Sequence, residues 1–420
     1  MRVIVSPSQL HGTAEAPPSK SLMQRAVAAA LMAKGRSVIF EPSFSHDGLS
    51  SLAAAGCLGA QIEELEFGLA ITGGLNPVSH EINVMESGLA LRLFTPIAAL
   101  SESPITLVGS GSLLSRPIGL YEQVIPKLGG HISTNQGCVP VQVSGPLHGG
   151  KISIDGSLSG QFVSGLLMAA PLMPEGLQLE VQNLNSKPYV DMTLEVMAHF
   201  GIAAMHTDYQ SFNVPAGQQY QATEIEIEGD WSGGAALLVA GALAGRSDYQ
   251  VAGLDTTFTQ ADRMITGVLL LAGCKVMREK DMYRLQNNKL RGFSFDATDC
   301  PDLFPVLAAL AVFCDKPSTI TGTHRLTHKE SNRAIVLQSE FAKAGIKIDL
   351  EDDRMTVHPA VVKACEIDSH NDHRIAMAAA LLGLAGAPIT VLGAECVNKS
   401  FPDFWPVLKS VGAQLHSKKD

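Results

Sequence analysis

The sequence predicts an α/β protein of two similar domains, each built from three repeats packed around buried helices. Three observations lead there. Six alanine-rich apolar segments begin at Lys20, Gly88, Gly160, Ser232, Asp302 and His373, spaced by 68, 72, 72, 70 and 71 residues. Amphipathic stretches lie between them and close on glycines at 59, 129, 201, 273, 345 and 412, spaced by 70, 72, 72, 72 and 67. Short alternating runs follow, such as Gln61-Ile62-Glu63, His131-Ile132-Ser133-Thr134 and Lys347-Ile348-Asp349-Leu350.

Each element has a local reason. The alanine-rich segments, for instance residues 20–35 and 373–386, are apolar on every side, which predicts buried helices. The amphipathic stretches, such as 121–130 and 190–201, are expected to lie partly outside. A glycine at the close of each fits a left-handed C-cap. The alternating runs predict exposed or half-buried strands. Each repeat thus holds two helices and several strands. A chain of 420 residues exceeds what one core holds, so the six units are expected to group as two sets of three.

Composition narrows the function. No apolar run approaches the ~20 residues of a membrane span. Met1-Arg2-Val3-Ile4-Val5 lacks a signal-peptide pattern, so a cytoplasmic protein is expected. Seven cysteines, at 57, 138, 274, 300, 314, 365 and 396, form no C-x-x-C pair, which argues against a disulfide framework or a structural zinc site. A net charge of -10 argues against nucleic acid as a partner. An anionic ligand would need a local basic cluster.

Such clusters gather where the helices begin. The buried segments open with Ser19-Lys20-Ser21, Glu86-Ser87-Gly88, Ser157 to Gln161, Asp230-Trp231-Ser232, Asp299 to Asp302 and Asn371-Asp372-His373-Arg374. The amphipathic ones open with Ser115-Arg116-Pro117, Ser186 to Tyr189, Lys329 to Arg333 and Lys399 to Pro402. A helix start presents free N–H groups and a partial positive charge, which suits phosphate and carboxylate. Ser, Asp and Asn there are also ordinary caps. Arg25, Arg92 and Arg374 stand out because they lie within apolar helices, and a buried guanidinium needs a partner. A ligand anion is one candidate. Equivalent ends of a repeat point one way, so the two sets are expected to enclose a cationic cleft.

At these residues the chain resembles the 5-enolpyruvylshikimate-3-phosphate synthase family, from about Leu10 to Leu408. The strings SKSLMQR, LLSRPIG, GQFVSGLLMAAP, SKPYVDMT, GDWSGGA, CPDLFPVLAALA, HKESNRA, NDHRIAMA and NKSFPDF occur in the family's order and spacing. The resemblance implies two domains of three βαβαββ repeats around buried parallel helices, an inside-out α/β barrel arrangement. The chain should pass between domains near Ser19 and Gly229. One domain would span 19–228, mainly on the shikimate 3-phosphate side. The other would join 1–18 to 229–420 and carry Asp302, Glu330 and part of the phosphoenolpyruvate site.

The implied reaction moves the enolpyruvyl group of phosphoenolpyruvate to the 5-hydroxyl of shikimate 3-phosphate and releases phosphate, in aromatic amino acid biosynthesis. No metal or redox cofactor is implied, and a monomer is expected. Lys20, Ser21 and Arg25 match the family's first substrate motif. Ser159, Gln161, Ser186, Tyr189, Asp302 and Lys329 match contacts to shikimate 3-phosphate. Lys20, Gly88, Arg116, Gln161, Arg333, Arg374 and Lys399 match the phosphoenolpyruvate cradle. The chemistry requires one group to exchange a proton with the attacking hydroxyl and another with C3. Asp302 is assigned to the hydroxyl and Glu330 to C3, with Lys20 assisting.

The chain departs from the family in places. Met85-Glu86-Ser87-Gly88-Leu89 stands where Gly-Asn-Ala-Gly-Thr is common, and Leu93 where a proline is. Asn332 replaces a usual Asp and Gly160 a usual Ser. Two alternatives share much of the pattern. A UDP-N-acetylglucosamine enolpyruvyl transferase would carry a different N-terminal motif and a catalytic loop cysteine, for which Cys138 lacks the context. A non-catalytic anion-binding homologue would not need Asp302, Glu330 and Lys20 together.

Overall fold

The structure, a computed structural model, describes residues 1–286 and 289–418. The chain divides into two compact units, Pro18–Glu228 with Thr257–Thr259, and Met1–Pro17 with Gly229–Thr256 and Gln260–Asp420.

The first unit contains α1 (Lys20–Met32), α2 (His46–Cys57), α3 (Gly88–Ala98), α4 (Leu120–Val124), α5 (Gly160–Ala169) and α6 (Lys187–His199). The alanine-rich α1, α3 and α5 form its centre, and α3 packs against both of the others. Every residue from Leu22 to Met32 of α1 is buried. Small side chains let these backbones approach closely. Each of the three is capped by a serine: Ser19, Ser87 and Ser159 accept from the N–H groups of Leu22, Ala90 and Gln161. The outer helices bury one face only, as α6 does with Val190, Met192, Thr193, Val196 and Met197.

Three four-stranded sheets surround these helices. In each, an edge strand runs parallel to the second, and the other two continue antiparallel. Burial alternates along the strands: Leu177, Leu179 and Val181 are buried while Gln178, Glu180 and Gln182 are exposed. One sheet face therefore covers the helices and the other meets water. Glu224–Glu226, late in the unit, pairs with Gly35–Phe40 near its start and closes the set of three.

The second unit repeats the plan with α7 (Trp231–Ala244), α8 (Ile265–Leu271), α9 (Phe304–Val312), α10 (Arg333–Lys343), α11 (His373–Ala385) and α12 (Phe404–Ser410). Here α7, α9 and α11 are the buried ones, and α11 packs against both others. The N-terminal segment completes two of its sheets. Arg2–Ser6 lies between Ile389–Leu392 and Gln414–Lys418, and Thr13–Glu15 pairs in parallel with Gln250–Ala252.

The glycines that close the outer helices all have positive φ, between 81° and 112°. At Gly59 a Cβ would fall 2.4 Å from the Asn76 carbonyl oxygen, so the space as well as the dihedral excludes a side chain.

The structure departs from the sequence reading at several points. Arg116 and Lys399 do not open helices. Arg116 is extended because it precedes Pro117, and α4 starts only at Leu120. Lys399 ends the 3₁₀ turn Ala394–Lys399, ahead of α12. Asp302 lies in a 3₁₀ turn, Pro301–Leu303, that leads into α9. Pro18 belongs to the first unit, as do Thr257–Thr259, so the chain passes between units four times rather than twice. Phe258 is the reason: it is part of the first unit's apolar core. Glu195 accepts from Thr259 N and Oγ1 at 2.7 and 2.6 Å, and Glu228 accepts from Thr257 N and Phe258 N at 3.1 and 3.3 Å.

Candidate active site

In the second unit, the start of α10, the turn before α9 and the start of α11 bring five of the expected residues together. Arg333, the first residue of α10, is buried at 1% exposure, and each of its nitrogens meets a carboxylate. Nη1 donates to Asp302 Oδ1 at 2.7 Å, Nη2 to Glu330 Oε2 at 2.7 Å, and Nε to Asp372 Oδ2 at 2.8 Å. Lys329 Nζ also donates to Asp302 Oδ1, at 3.1 Å. Arg374 Nη2 lies 4.0 Å from Asp302 Oδ2. The buried Nε and Nη1 of Arg374 have no hydrogen-bond partner among the described residues. Buried donors left without an acceptor are costly, so their position needs a reason beyond packing. Lys399 Nζ donates to the Asn371 carbonyl at 2.6 Å, beside the N-cap of α11.

The charges perturb one another. Burial disfavours the Arg333 cation, but Asp372, Glu330 and Asp302 outweigh it and raise its pKa well above the usual arginine value. Burial lowers Lys329 below the ordinary lysine value, with Asp302 opposing. Asp262 is buried behind this cluster, where Ser232 Oγ donates to its Oδ2. Desolvation and then the nearby Asp302 charge push Asp262 up to about 7, against the pull of Arg374.

In the first unit the other expected residues lie at or near the starts of α1, α3, α5 and α6, except Arg116, which follows the 3₁₀ turn Gly111–Ser115. Lys20 Nζ meets Asp47 Oδ2 at 2.5 Å. Arg25 ties α1 to α6: Nε donates to Thr193 Oγ1 at 2.8 Å, Nη1 to the Ser21 carbonyl at 2.7 Å and Nη2 to the Tyr189 carbonyl at 3.0 Å. Its burial lowers its pKa to about 10. Arg92 donates to Gln161 Oε1 at 2.7 Å and to the Pro117 carbonyl at 2.9 Å. Arg25 thus meets its need for partners from the chain itself, whereas Arg92 does so through Nη1 and Nη2, its buried Nε having no hydrogen-bond partner among the described residues. Ser186 adopts a left-handed φ of 60° just before α6.

Gly88 and Arg116 are matched to each other. A Cβ on Gly88 would fall 2.5 Å from Arg116 Cζ and Nη2, so the guanidinium lies against the bare start of α3. Glu86, a departure from the family pattern, is engaged elsewhere. Its Oε2 accepts from Ser112 N and Oγ at 3.0 and 3.1 Å, which pins the turn Gly111–Ser115. Ser87 caps α3, and Leu93 is core.

The family model for EPSP synthase (3-phosphoshikimate 1-carboxyvinyltransferase) matches residues 4–408. The chain belongs to the EPSP synthase family. Among curated relatives, the 3-phosphoshikimate 1-carboxyvinyltransferase of Methanoculleus marisnigri is 38% identical over 407 residues, covering 94% of this chain and 96% of that protein. The one of Clostridium kluyveri is 35% identical over 418 residues, covering 98% of each. A solved EPSP synthase from Acinetobacter baumannii matches with a TM-score of 0.82 over 99% of this chain and 100% of that one, at 22% identity. The shared architecture is thus the two-domain, inside-out α/β fold of the EPSP synthases.

Sequence reasoning assigned no role to Asp47, Asp262 or Asp372, although each contacts or influences a residue of the site. Asp372 lay within the NDHR string, next to Arg374, where its pairing with buried Arg333 was open to inference. Asp47 and Asp262 carry no local signal, because their partners are distant in sequence.

Proposed function

We propose that the chain transfers the enolpyruvyl group of phosphoenolpyruvate to the 5-hydroxyl of shikimate 3-phosphate, releasing inorganic phosphate. The observation that carries this reading is the joining of Asp302 and Glu330 through the Arg333 guanidinium, in a member of the EPSP synthase family. Two acids beside a group of cations suit a reaction of two multiply charged anions.

In this reading Lys20, Gly88, Arg116, Gln161, Arg374 and Lys399 hold phosphoenolpyruvate. The unpartnered Arg374 nitrogens are available donors for its phosphate or carboxylate. Arg333 joins them by exchanging Glu330 for the substrate anion. Freed from that ion pair, Glu330 takes up a proton from water, passes it to C3 and later takes one back from the resulting methyl group as phosphate leaves. Asp302 takes the proton of the attacking 5-hydroxyl, while Lys20 stabilises charge as the tetrahedral intermediate forms and collapses. Ser21, Ser159, Gln161, Ser186, Tyr189, Asp302 and Lys329 hold shikimate 3-phosphate. Arg25 supports that set by fixing the backbone at Ser21 and Tyr189. A monomeric state and a cytoplasmic location belong to the proposal as expectations from sequence.

A coupled phosphate-release assay tests it. Phosphoenolpyruvate with shikimate 3-phosphate should release phosphate, and phosphoenolpyruvate with UDP-N-acetylglucosamine should not. Activity with the sugar nucleotide alone would overturn the reading.

A further inference from the structure

The segment that carries Asp372 and Arg374 follows two consecutive left-handed residues, His370 at φ 49° and Asn371 at φ 56°. Histidine and asparagine enter this region more readily than most residues, and local bonds close the turn: Asp372 N donates to the Ser369 carbonyl at 2.9 Å and His370 N to Asp368 Oδ1 at 2.7 Å. Helix α10 adds tertiary contacts at two points. Arg333, at its start, binds Asp372 through Nε and Nη2 at 2.8 and 3.2 Å. Glu340, seven residues later on the same helix face, is buried at 4% exposure. Its Oε2 accepts from Asp368 N at 2.9 Å, and its Oε1 lies 2.9 Å from His370 Nε2. Lys343 Nζ adds a third contact at 2.6 Å. Glu340 therefore fixes the near end of the strained segment and Arg333 fixes the far end. Between them, the Asn371 carbonyl receives Lys399 Nζ at 2.6 Å.

We propose that Glu340 is a positioning residue for phosphoenolpyruvate: by clamping Asp368 and His370 it sets the Asn371–Arg374 backbone, and through it Lys399 and Arg374. Glu340 makes no contact with the reacting atoms in this scheme. Its effect falls first on the cations that receive one substrate, because Lys399 and Arg374 both rest on the segment it holds, while Arg333 keeps its own bonds to Asp302 and Glu330. The bonds from Lys343 and His370 and from the Asp368 N–H outweigh burial and keep its carboxyl below the usual glutamate range, consistent with a charged clamp.

The inference rests on the proposed reaction, so the test begins with the unaltered chain. If that chain releases no phosphate from phosphoenolpyruvate and shikimate 3-phosphate, the functional reading fails. If it does, Glu340→Leu, which keeps apolar bulk and removes every acceptor, should raise KM for phosphoenolpyruvate about tenfold. KM for shikimate 3-phosphate and kcat should stay within about threefold. Glu340→Gln, which keeps an acceptor for Asp368 N–H, should recover most of the loss. His370→Ala, at a half-exposed position, should shift the same KM in the same direction, and it decides the matter if Glu340→Leu does not fold. An active parent with folded variants whose two KM values rise together, or not at all, would overturn the assignment.

Discussion

Arg333 and Asp372 form a two-point ion pair, with Nε and Nη2 donating to the carboxylate at 2.8 and 3.2 Å and both side chains buried. The same carboxylate accepts from Arg374 N and so caps α11. One acid thereby orients the guanidinium that holds Asp302 and Glu330 and starts the helix that carries Arg374. Asp372→Ala should cost roughly 2–4 kcal/mol of stability, because it leaves the buried Arg333 Nε without its acceptor, although Asp302 and Glu330 still meet Nη1 and Nη2, and removes a cap. A fall in the denaturation midpoint, together with loss of activity, checks this. Unchanged stability would contradict it.

Glu330 is proposed to serve C3 of phosphoenolpyruvate. Glu330→Gln keeps the size and one acceptor for Arg333 but cannot take up a proton. Turnover should fall by about 10²-fold or more, while both KM values change by only a few fold. Steady-state kinetics decides, and near-normal kcat would remove Glu330 from that role.

Gly88 gives the Arg116 guanidinium its place. Gly88→Ala puts a methyl group 2.5 Å from Arg116 Cζ, so the arginine must move. KM for phosphoenolpyruvate should rise about tenfold or more, with a smaller effect on shikimate 3-phosphate. Unaltered kinetics would show that Arg116 binds nothing from this position.

Asp262 sets a pH dependence of stability. Its pKa is about 7 in the folded chain and about 3.9 when unfolded. Between those values the folded state keeps a proton that the unfolded state has lost, so this group's contribution falls as pH rises from about 4 to about 7 and is level above. Asp262→Asn should remove that slope. The variant should gain roughly 1–3 kcal/mol over its parent at pH 8 and little at pH 4, by chemical denaturation at both. A parallel pH profile for the two proteins would contradict it.

The legible part of this molecule was the part built on local pattern. Buried helices announced themselves because alanine-rich segments have no polar face, and the closing glycines because only a left-handed residue ends those helices as they do. The cationic side chains stood out for lying at helix starts. The acids that organise them did not. Asp47, Asp262 and Glu340 reach partners by tertiary packing, and one carboxylate among 41 acidic residues carries no periodic signal. Likewise, nothing in the run Thr257-Phe258-Thr259 shows that it belongs to the Pro18–Glu228 unit and adds its aromatic ring to that core.

The interlaced course of the chain has a consequence for its birth on the ribosome. The Pro18–Glu228 unit is unfinished until Thr259 has emerged, because Phe258 is one of its own core residues. The strand Arg2–Ser6 must wait longer still, since its neighbours Ile389–Leu392 and Gln414–Lys418 come far later in the chain. A segment made early thus finds its home late, and the nascent chain carries an unpaired β-edge while everything between is translated.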